Sequence, residues 1–431
     1  MRKFVLITLA VLFVSQVVFA QMAPTSSKAL QNFSAVQKSG KAAPLLPKAL
    51  TNMKARPTIW VTGQKWVKST LKQANVPGEP WFCDYNTGYQ VAVCPKGLQT
   101  AYQTSFPSAN GGAGMVIAIL DYFAYPSAEA NFAQFNADMH LPPCTTANGC
   151  FTSLDLSGGI DGTGTGWDLE SMLDIEYAHA MAPNAKIIYV QGDPYGDGSF
   201  EEQVAGSLSD VVSNSWTYNS GEYWDFLEPV WAGIGKPLMF ASGDGSAWPY
   251  YSGVSYPCTS PSVTCVGGTS LYLNPNLTRL AEYGWAGAGG GCSQNLPMPA
   301  WQGNVGSGVC SPYRAAPDVA AIADSNTPVA VYLCNWAWGC GYFGVGGTSV
   351  ATPVLSGLVA DIDAARTAFG KAKLTTFAPP LYPAAAYNYN YYFFDVVNGY
   401  NGFYAGPQYD LITGLGVPSG KAIGSRFFGI P

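Results

Sequence analysis

The sequence predicts an α/β fold, a mostly parallel sheet with helices on both faces. Two patterns carry this reading. Short apolar runs recur along the chain, each followed by a polar turn and then by a stretch with helical character. The runs are apolar throughout rather than alternating, as in strands that are covered on both sides. With 431 residues, 48% of them hydrophobic, the chain can build one large core plus an N-terminal appendage.

The first run, Gly114 to Leu120 (GMVIAIL), ends at Asp121 and precedes a helix-compatible stretch from Ala128 to His140. A helix over 168–181 leads to Lys186–Val190 (KIIYV), and further strands are expected at 210–213, 237–241 and 263–266. In parallel sheets chemistry gathers beyond the carboxyl ends of the strands, where Asp121, Ser215-Trp216 and Asp244 fall. A last helix is expected over 349–361, with Pro353 in its first turn, where a missing N–H costs little. There is no internal repeat.

Residues 1–20 read as a signal peptide: Met1-Arg2-Lys3, an apolar run from Phe4 to Phe19, then Ala20. The run is shorter than the ~20 apolar residues of a membrane-spanning helix, and no later segment qualifies, so a secreted, extracellular protein without a membrane anchor is expected. Residues 21–95 form an N-terminal segment, short and propeptide-like or flexible and partly folded, and 96–431 the main domain. The ten cysteines fall into neighbours along the chain: 83 with 94, 144 with 150, 258 with 265, 292 with 310, and 334 with 340. Export favours disulfides, the absence of C-x-x-C knuckles disfavours zinc, and spacing leaves the pairing open.

Only 11% of residues are charged, with 27 acidic against 21 basic side chains and no basic run, which excludes a nucleic-acid partner. Were the carboxylates protonated, only those 21 basic side chains and two histidines would repel one another, so the chain suits acid.

Three segments carry candidate chemistry: 167–182 (WDLESMLDIEYAHAMA), 240–248 (FASGDGSAW) and 346–357 (GGTSVATPVLSG). In the first, Asp168 suits a helix cap, and Glu170 and Asp174 share one helix face. Spacing alone leaves a solvated acidic face, with Glu176 nearby, as an equal alternative. In the third, Ser349 stands at a helix start beside free N–H groups, a setting for an attacking oxygen or for a plain cap. A serine hydroxyl needs a base within hydrogen-bond reach. Only His140 and His179 exist, neither in an H-G-x-H context, and at ~100° per residue His179 points about 140° away from Asp174. A carboxylate is then the base, with Glu170 oriented by Asp174.

GGTSVATP at 346–353, E-x-x-x-D at 170–174, SGD at 242–244, YPCTSPSVTCVGGTS at 256–270, GGGCS at 289–293 with PAWQ at 299–302, and RAAPDVAAIAD at 314–324 together resemble the sedolisin family of serine-carboxyl peptidases. The resemblance runs from about Gln99 to Pro418 and implies a subtilisin-like fold. It implies Ser349 as nucleophile, Glu170 as general base and acid, Asp174 as its orienter and Asp244 as the oxyanion partner. Asp121 and Trp216 match positions that extend this network. An aspartate facing an oxyanion must be protonated, which ties activity to acid. The resemblance also implies a C-terminal calcium loop, one Ca2+ held by Asp395, the carbonyls of Val396, Gly406 and Gln408, and Asp410, an all-oxygen shell suited to a hard cation. Gln408 stands where the family usually has glycine. The chain departs from the family in its short N-terminal segment, where a large prodomain is usual, and in GDGS at 243–246, where GDSG is usual.

The expected function is that of a secreted, acid-acting serine-carboxyl endopeptidase, a monomer acting on proteins or peptides through an acyl-enzyme on Ser349. The alternative is a non-catalytic secreted protein holding peptide or glycan on the same scaffold. The misplaced histidines disfavour a histidine-triad subtilase, and the lack of a D-T-G or D-S-G tripeptide disfavours an aspartic peptidase.

Overall fold

Every residue from Ile117 to Tyr122 is buried, because alternate side chains enter two different cores. Ile117 and Ile119 join one, Ala118, Leu120 and Tyr122 the other. The structure, a computed structural model, describes residues 55–57, 60–66, 80–86, 89–104, 110–218, 221–247, 254–303, 305 and 307–425. The expected signal peptide at 1–20 and the following residues up to 54 lie outside the described residues. The elements that position the site are, in chain order, β1 (Ala55–Pro57), β2 (Trp60–Trp66), α1 (Pro95–Ala101), β3 (Val116–Tyr122), α2 (Ala128–Asp138), β4 (Phe151–Asp155), α3 (Trp167–Met181) and β5 (Lys186–Gly192). There follow α4 (Ser199–Leu208), β6 (Val211–Asn214), β7 (Trp216–Tyr218), α5 (Glu228–Ile234), β8 (Leu238–Ala241), β9 (Thr264–Leu273) and β10 (Arg279–Gly284). The last are β11 (Val319–Ile322), β12 (Val329–Asn335), β13 (Gly339–Gly346), α6 (Thr348–Ala368) and α7 (Ala378–Tyr392).

Eight strands form the main sheet in the order β10-β9-β8-β6-β3-β5-β4, with β11 also paired to β9. All these pairs are parallel except the hairpin of β9 with β10. Helices α2, α3 and α6 pack on the face of Ile117, and α4 and α5 on the face of Leu120. This is the α/β subtilisin-like arrangement that the alternating runs predict.

The crossing of α3 and α6 is unusually close. A Cβ on Gly357 of α6 would lie 2.5 Å from Met181 Cβ and 3.0 Å from the Ala178 carbonyl oxygen on α3, so only glycine fits. Helix α6 is longer than predicted and starts one residue earlier, at Thr348, with Gly347 as its cap at φ +126°. Pro353 therefore lies inside the helix rather than in its first turn. Helix α3 is also capped differently: Gly166 holds the cap position, and Asp168 instead accepts the N–H groups of Gly164 (2.8 Å) and Gly166 (3.2 Å) in the entering turn.

The N-terminal strands cross the expected boundary at 95/96. β1 pairs antiparallel with β7 (Ala55 with Tyr218, Pro57 with Trp216), and β2 with β13 (Trp60 with Gly346, Val61 with Val345). Phe82, Tyr85, Val93 and Leu98 enter the same core as α3 and α6. The described part of the N-terminal segment is thus part of the main body, since its apolar side chains have no core of their own.

All five disulfides join nearest neighbours: Cys83–Cys94, Cys144–Cys150, Cys258–Cys265, Cys292–Cys310 and Cys334–Cys340. Long-range cohesion comes partly from a fully buried ion pair. Arg314 Nη2 lies 2.6 Å from Asp318 Oδ2, which also accepts the Cys265 N–H at 2.8 Å, while Asp318 Oδ1 accepts the Tyr382 hydroxyl at 2.7 Å. Removing one partner of such a pair strands the other charge without water. Arg314→Ala is therefore expected to lower unfolding free energy by about 3–5 kcal/mol, read as a shift in the denaturant midpoint; a change within 1 kcal/mol would show that the pair bears no weight.

Candidate active site

The close helix crossing brings the first turn of α6 against the first turns of α3. Ser349, Glu170 and Asp174 are all fully buried. The acidic pair is therefore not a solvated face, and Glu176 is buried as well, accepting the Tyr332 N–H at 3.1 Å. Burial pushes the Glu170 carboxyl well up, and Asp174, Asp121 and Asp244 push it further; the Ser349 hydroxyl acts in the opposite sense, as a hydrogen-bond donor near it. That hydroxyl also lies 3.4 Å from the Ser215 carbonyl, and among the described residues neither Glu170 oxygen has a partner at full hydrogen-bond geometry. Asp174 Oδ1 accepts the Ser215 hydroxyl at 2.9 Å, and burial followed by Asp121 raises its pKa.

Of the glycines before Ser349, Gly346 is required by packing and Gly347 by its φ of +126°. A Cβ on Gly346 would come within 2.4 Å of the Ser325 nitrogen. Gly347 donates its N–H to the Ala323 carbonyl at 2.6 Å. The next residue, Thr348, latches Asp244: Oδ1 accepts both the Thr348 N–H (2.8 Å) and its hydroxyl (2.9 Å). Asp244 is half-buried, yet its Oδ2 is shut off from solvent and has no partner among the described residues, and burial pushes the carboxyl up to about 7. The GDGS departure is accommodated behind it. Ser246 takes a left-handed φ of +61°, held by its hydroxyl on the Ala286 carbonyl (2.7 Å) and its N–H on that of Gly287 (2.9 Å).

Asp121, one residue before the end of β3, raises the pKa of both Glu170 and Asp174. Its own carboxyl is pushed up to about 7 by burial, opposed by Ser171, whose Oγ accepts the Tyr189 hydroxyl at 2.9 Å. Trp216 lies elsewhere than expected. Its ring packs edge-on to Tyr122, Tyr218 and Phe240, and its Nε1–H has no partner among the described residues. Successive residues leave a strand on opposite sides, so Ser215 reaches the acidic cluster and Trp216 the other core. Ser215 and Thr348 are the residues that motif reading passed over; a hydroxyl adjoining each expected site residue was the available signal. His179 is remote from Ser349, bonded to the Pro142 carbonyl at 3.0 Å, and burial lowers its pKa to about 4. His140 is exposed.

The expected calcium ligands lie on one loop. Asp395 accepts the Gln408 N–H on both oxygens (3.0 and 3.1 Å), and the Tyr389 hydroxyl lies 3.1 Å from Asp395 Oδ1, the Gln408 carbonyl and the Leu415 carbonyl. Asp410 Oδ1 holds the N–H groups of Ile412 and Thr413, while Oδ2 holds Gly406 N–H at 3.2 Å. Gln408 adopts φ +66°, the conformation glycine takes without strain. Among the described residues no ion pair offsets either carboxylate, and carboxylates joined by backbone carbonyls are the donor types a hard cation takes.

Because the folded chain holds Asp121 at about 7 against an ordinary 3.8, the folded state binds the extra proton. That contribution is present below pH 4 and is lost as pH rises through 7. Asp121→Asn, which cannot ionise, is expected to flatten the fall in Tm between pH 4 and pH 8 by about 5 °C. Parallel melting curves for both proteins would contradict this placement of the charge.

Comparison with known proteins matches residues 159–377 to the subtilase family. Kumamolisin from a Bacillus species is 30% identical over 369 residues, 76% of this chain and 62% of that protein. Tripeptidyl-peptidase 1 of Canis lupus familiaris is 33% identical over 303 residues, 59% of this chain and 51% of that protein. The chain thus spans between about half and three fifths of the length of these relatives. Among solved structures, Pseudomonas sedolisin, a serine-carboxyl proteinase complexed with two molecules of pseudo-iodotyrostatin, superposes with a TM-score of 0.64 over 78% of this chain and 99% of that one, at 23% identity, which speaks for the fold. With the subtilase match over half of its length, this chain belongs to the subtilase family.

Proposed function

We propose that the protein is a secreted serine-carboxyl endopeptidase that works in acid. The observation that carries this reading is the burial of Ser349, Glu170 and Asp174 in one cluster with the latched Asp244 beside it and no histidine near. Ser349 Oγ attacks the scissile carbonyl carbon, and its proton passes to the Glu170 carboxylate, which Asp174 orients. The protonated Asp244 donates from Oδ2 to the developing oxyanion. As the C–N bond breaks, Glu170 returns the proton to the leaving amine. Water then cleaves the ester by the same route, with Glu170 again taking the proton. Acid serves both demands: it keeps Asp244 neutral as a donor, and by neutralising Asp121 and Asp244 it relieves the repulsion that keeps Glu170 protonated. A histidine would be cationic under those conditions and useless as a base.

The partner is an extended polypeptide, and no nucleic acid or membrane is invoked. Two edges are apt for strand addition: β7, which starts one residue after Ser215, and β13, which ends three before Ser349. In this chain β1 and β2 already occupy them. We read residues 55–57 and 60–66 as the active part of a propeptide-like segment within 21–95, paired to these edges in the manner of a substrate. The main body, which keeps Phe82, Tyr85 and Val93 in its core, acts as a monomer once the two strands are released. Five disulfides and the signal-like residues 1–20 accord with an extracellular location.

Ca2+ would be held by Asp395 and Asp410 with the carbonyls of Val396, Gly406 and Gln408, where it supplies charge neutralisation and cross-links the loop. Its removal by EDTA is expected to lower Tm by about 5–10 °C, restored by added Ca2+ and absent in Asp395→Asn. An unchanged Tm would argue against the ion.

Purified protein is expected to cleave denatured protein at about pH 3–5, with Ser349→Ala and Glu170→Gln slower by about 10^3-fold or more. Acid incubation should also shorten the wild type at its N-terminus while Ser349→Ala stays intact. Folded wild type without acid cleavage would leave the non-catalytic binding protein as the better description; release of tripeptides alone would replace endopeptidase by exopeptidase.

A further inference from the structure

Ser215 touches the acidic cluster at three atoms. Its hydroxyl lies 2.9 Å from Asp174 Oδ1 and 3.3 Å from the Ser349 carbonyl, and its own carbonyl accepts the Ser349 hydroxyl at 3.4 Å. It is fully buried in the turn between β6 and β7, at the carboxyl end of a central strand. The Ser349 carbonyl is available to it for a specific reason. In a regular helix that oxygen accepts the N–H four residues on, and here that residue is Pro353, which has none.

We propose that Ser215 is a positioning residue whose hydroxyl couples the Asp174 carboxyl to the backbone of Ser349. The proposal rests on the reading of Ser349 as nucleophile. The Ser215 hydroxyl carries one hydrogen and faces two acceptors. With Asp174 ionised, the hydrogen goes to the carboxylate. With Asp174 protonated, the acid donates to Ser215 Oγ, and the Ser215 hydrogen turns to the Ser349 carbonyl. Each protonation state thus fixes one arrangement of the nucleophile's helix turn. The groups facing Asp174 are Glu170 from α3, Asp121 from β3, Ser215 itself and, across Ser215, the Ser349 carbonyl of α6; none of these is a cation.

Two substitutions act on this coupling in opposite directions. Ser215→Ala removes the donor to the ionised Glu170–Asp174 pair, so the acid limb of the kcat profile, which reports the first ionisation of that pair, moves to higher pH by about half a unit or more. It also lowers kcat by about tenfold with KM little changed, the loss of one hydrogen bond at the transition state. Ser215→Thr, which keeps the hydroxyl, recovers most of both. Pro353→Ala supplies an N–H that takes the Ser349 carbonyl and leaves the Ser215 hydrogen to Asp174, so its acid limb moves to lower pH. The assays are kcat and KM on a peptide substrate across pH 2.5–7, with circular dichroism to establish folding. A Ser215→Ala profile superimposable on wild type, or displacements of the two variants in the same direction, overturns the proposal while leaving the peptidase reading intact. Should Ser215→Ala not fold, the Pro353→Ala profile decides alone, and an undisplaced limb overturns the proposal. Wild-type protein without acid cleavage overturns the peptidase reading and this proposal with it.

Discussion

The structure turns on carboxyl groups that are buried together without a countercharge. Glu170, Asp174 and Asp121 are each fully enclosed, and the charges acting on Glu170 are other carboxyls: Asp174, Asp121 and Asp244. An ionised carboxylate in such surroundings is so costly that the group takes a proton instead. The cluster is most stable when its members are protonated, a state in which Asp244 carries no further repelling charge.

Everything around the cluster serves to hold it closed. Gly357 lets α3 and α6 approach until the face bearing Glu170 and Asp174 meets the start of α6. Gly346 and Gly347 let the chain enter that helix under the 323–325 segment, and Thr348 clamps Asp244 with two hydrogen bonds. The parallel strands deliver Asp121 and Ser215 at their carboxyl ends, from a sheet covered on both faces. Behind it, Arg314 and Asp318 tie β9 and β11 to α7, so the loop of Asp395 and Asp410 is anchored to the same framework.

Much of this was legible in the sequence because the physics is local. Uninterrupted apolar runs such as GMVIAIL can satisfy only a doubly covered strand, and E-x-x-x-D fixes two carboxyls on one helix face. The cysteine pairing, which spacing leaves open, joins neighbours along the chain. What escaped was set by tertiary context. Asp168 looks like a cap, but Gly166 turns the chain first. Pro353 looks like a first-turn residue, but α6 begins earlier because Thr348 is held by Asp244. Trp216 was expected in the hydrogen-bond network, and strand alternation sends its ring to the opposite core and brings Ser215 in. The roles of β1 and β2 were not readable at all, since their pairing with β7 and β13 bridges well over a hundred residues of sequence.

That pairing has a kinetic side. A strand carried on the same polypeptide meets its groove at an effective concentration fixed by the tether, on the order of millimolar for a short connection. Dilution cannot weaken such an occupant, and a rival peptide in free solution competes at a disadvantage until the covalent link is severed. Availability of the groove then becomes a matter of chain history rather than of how much protein or peptide is present.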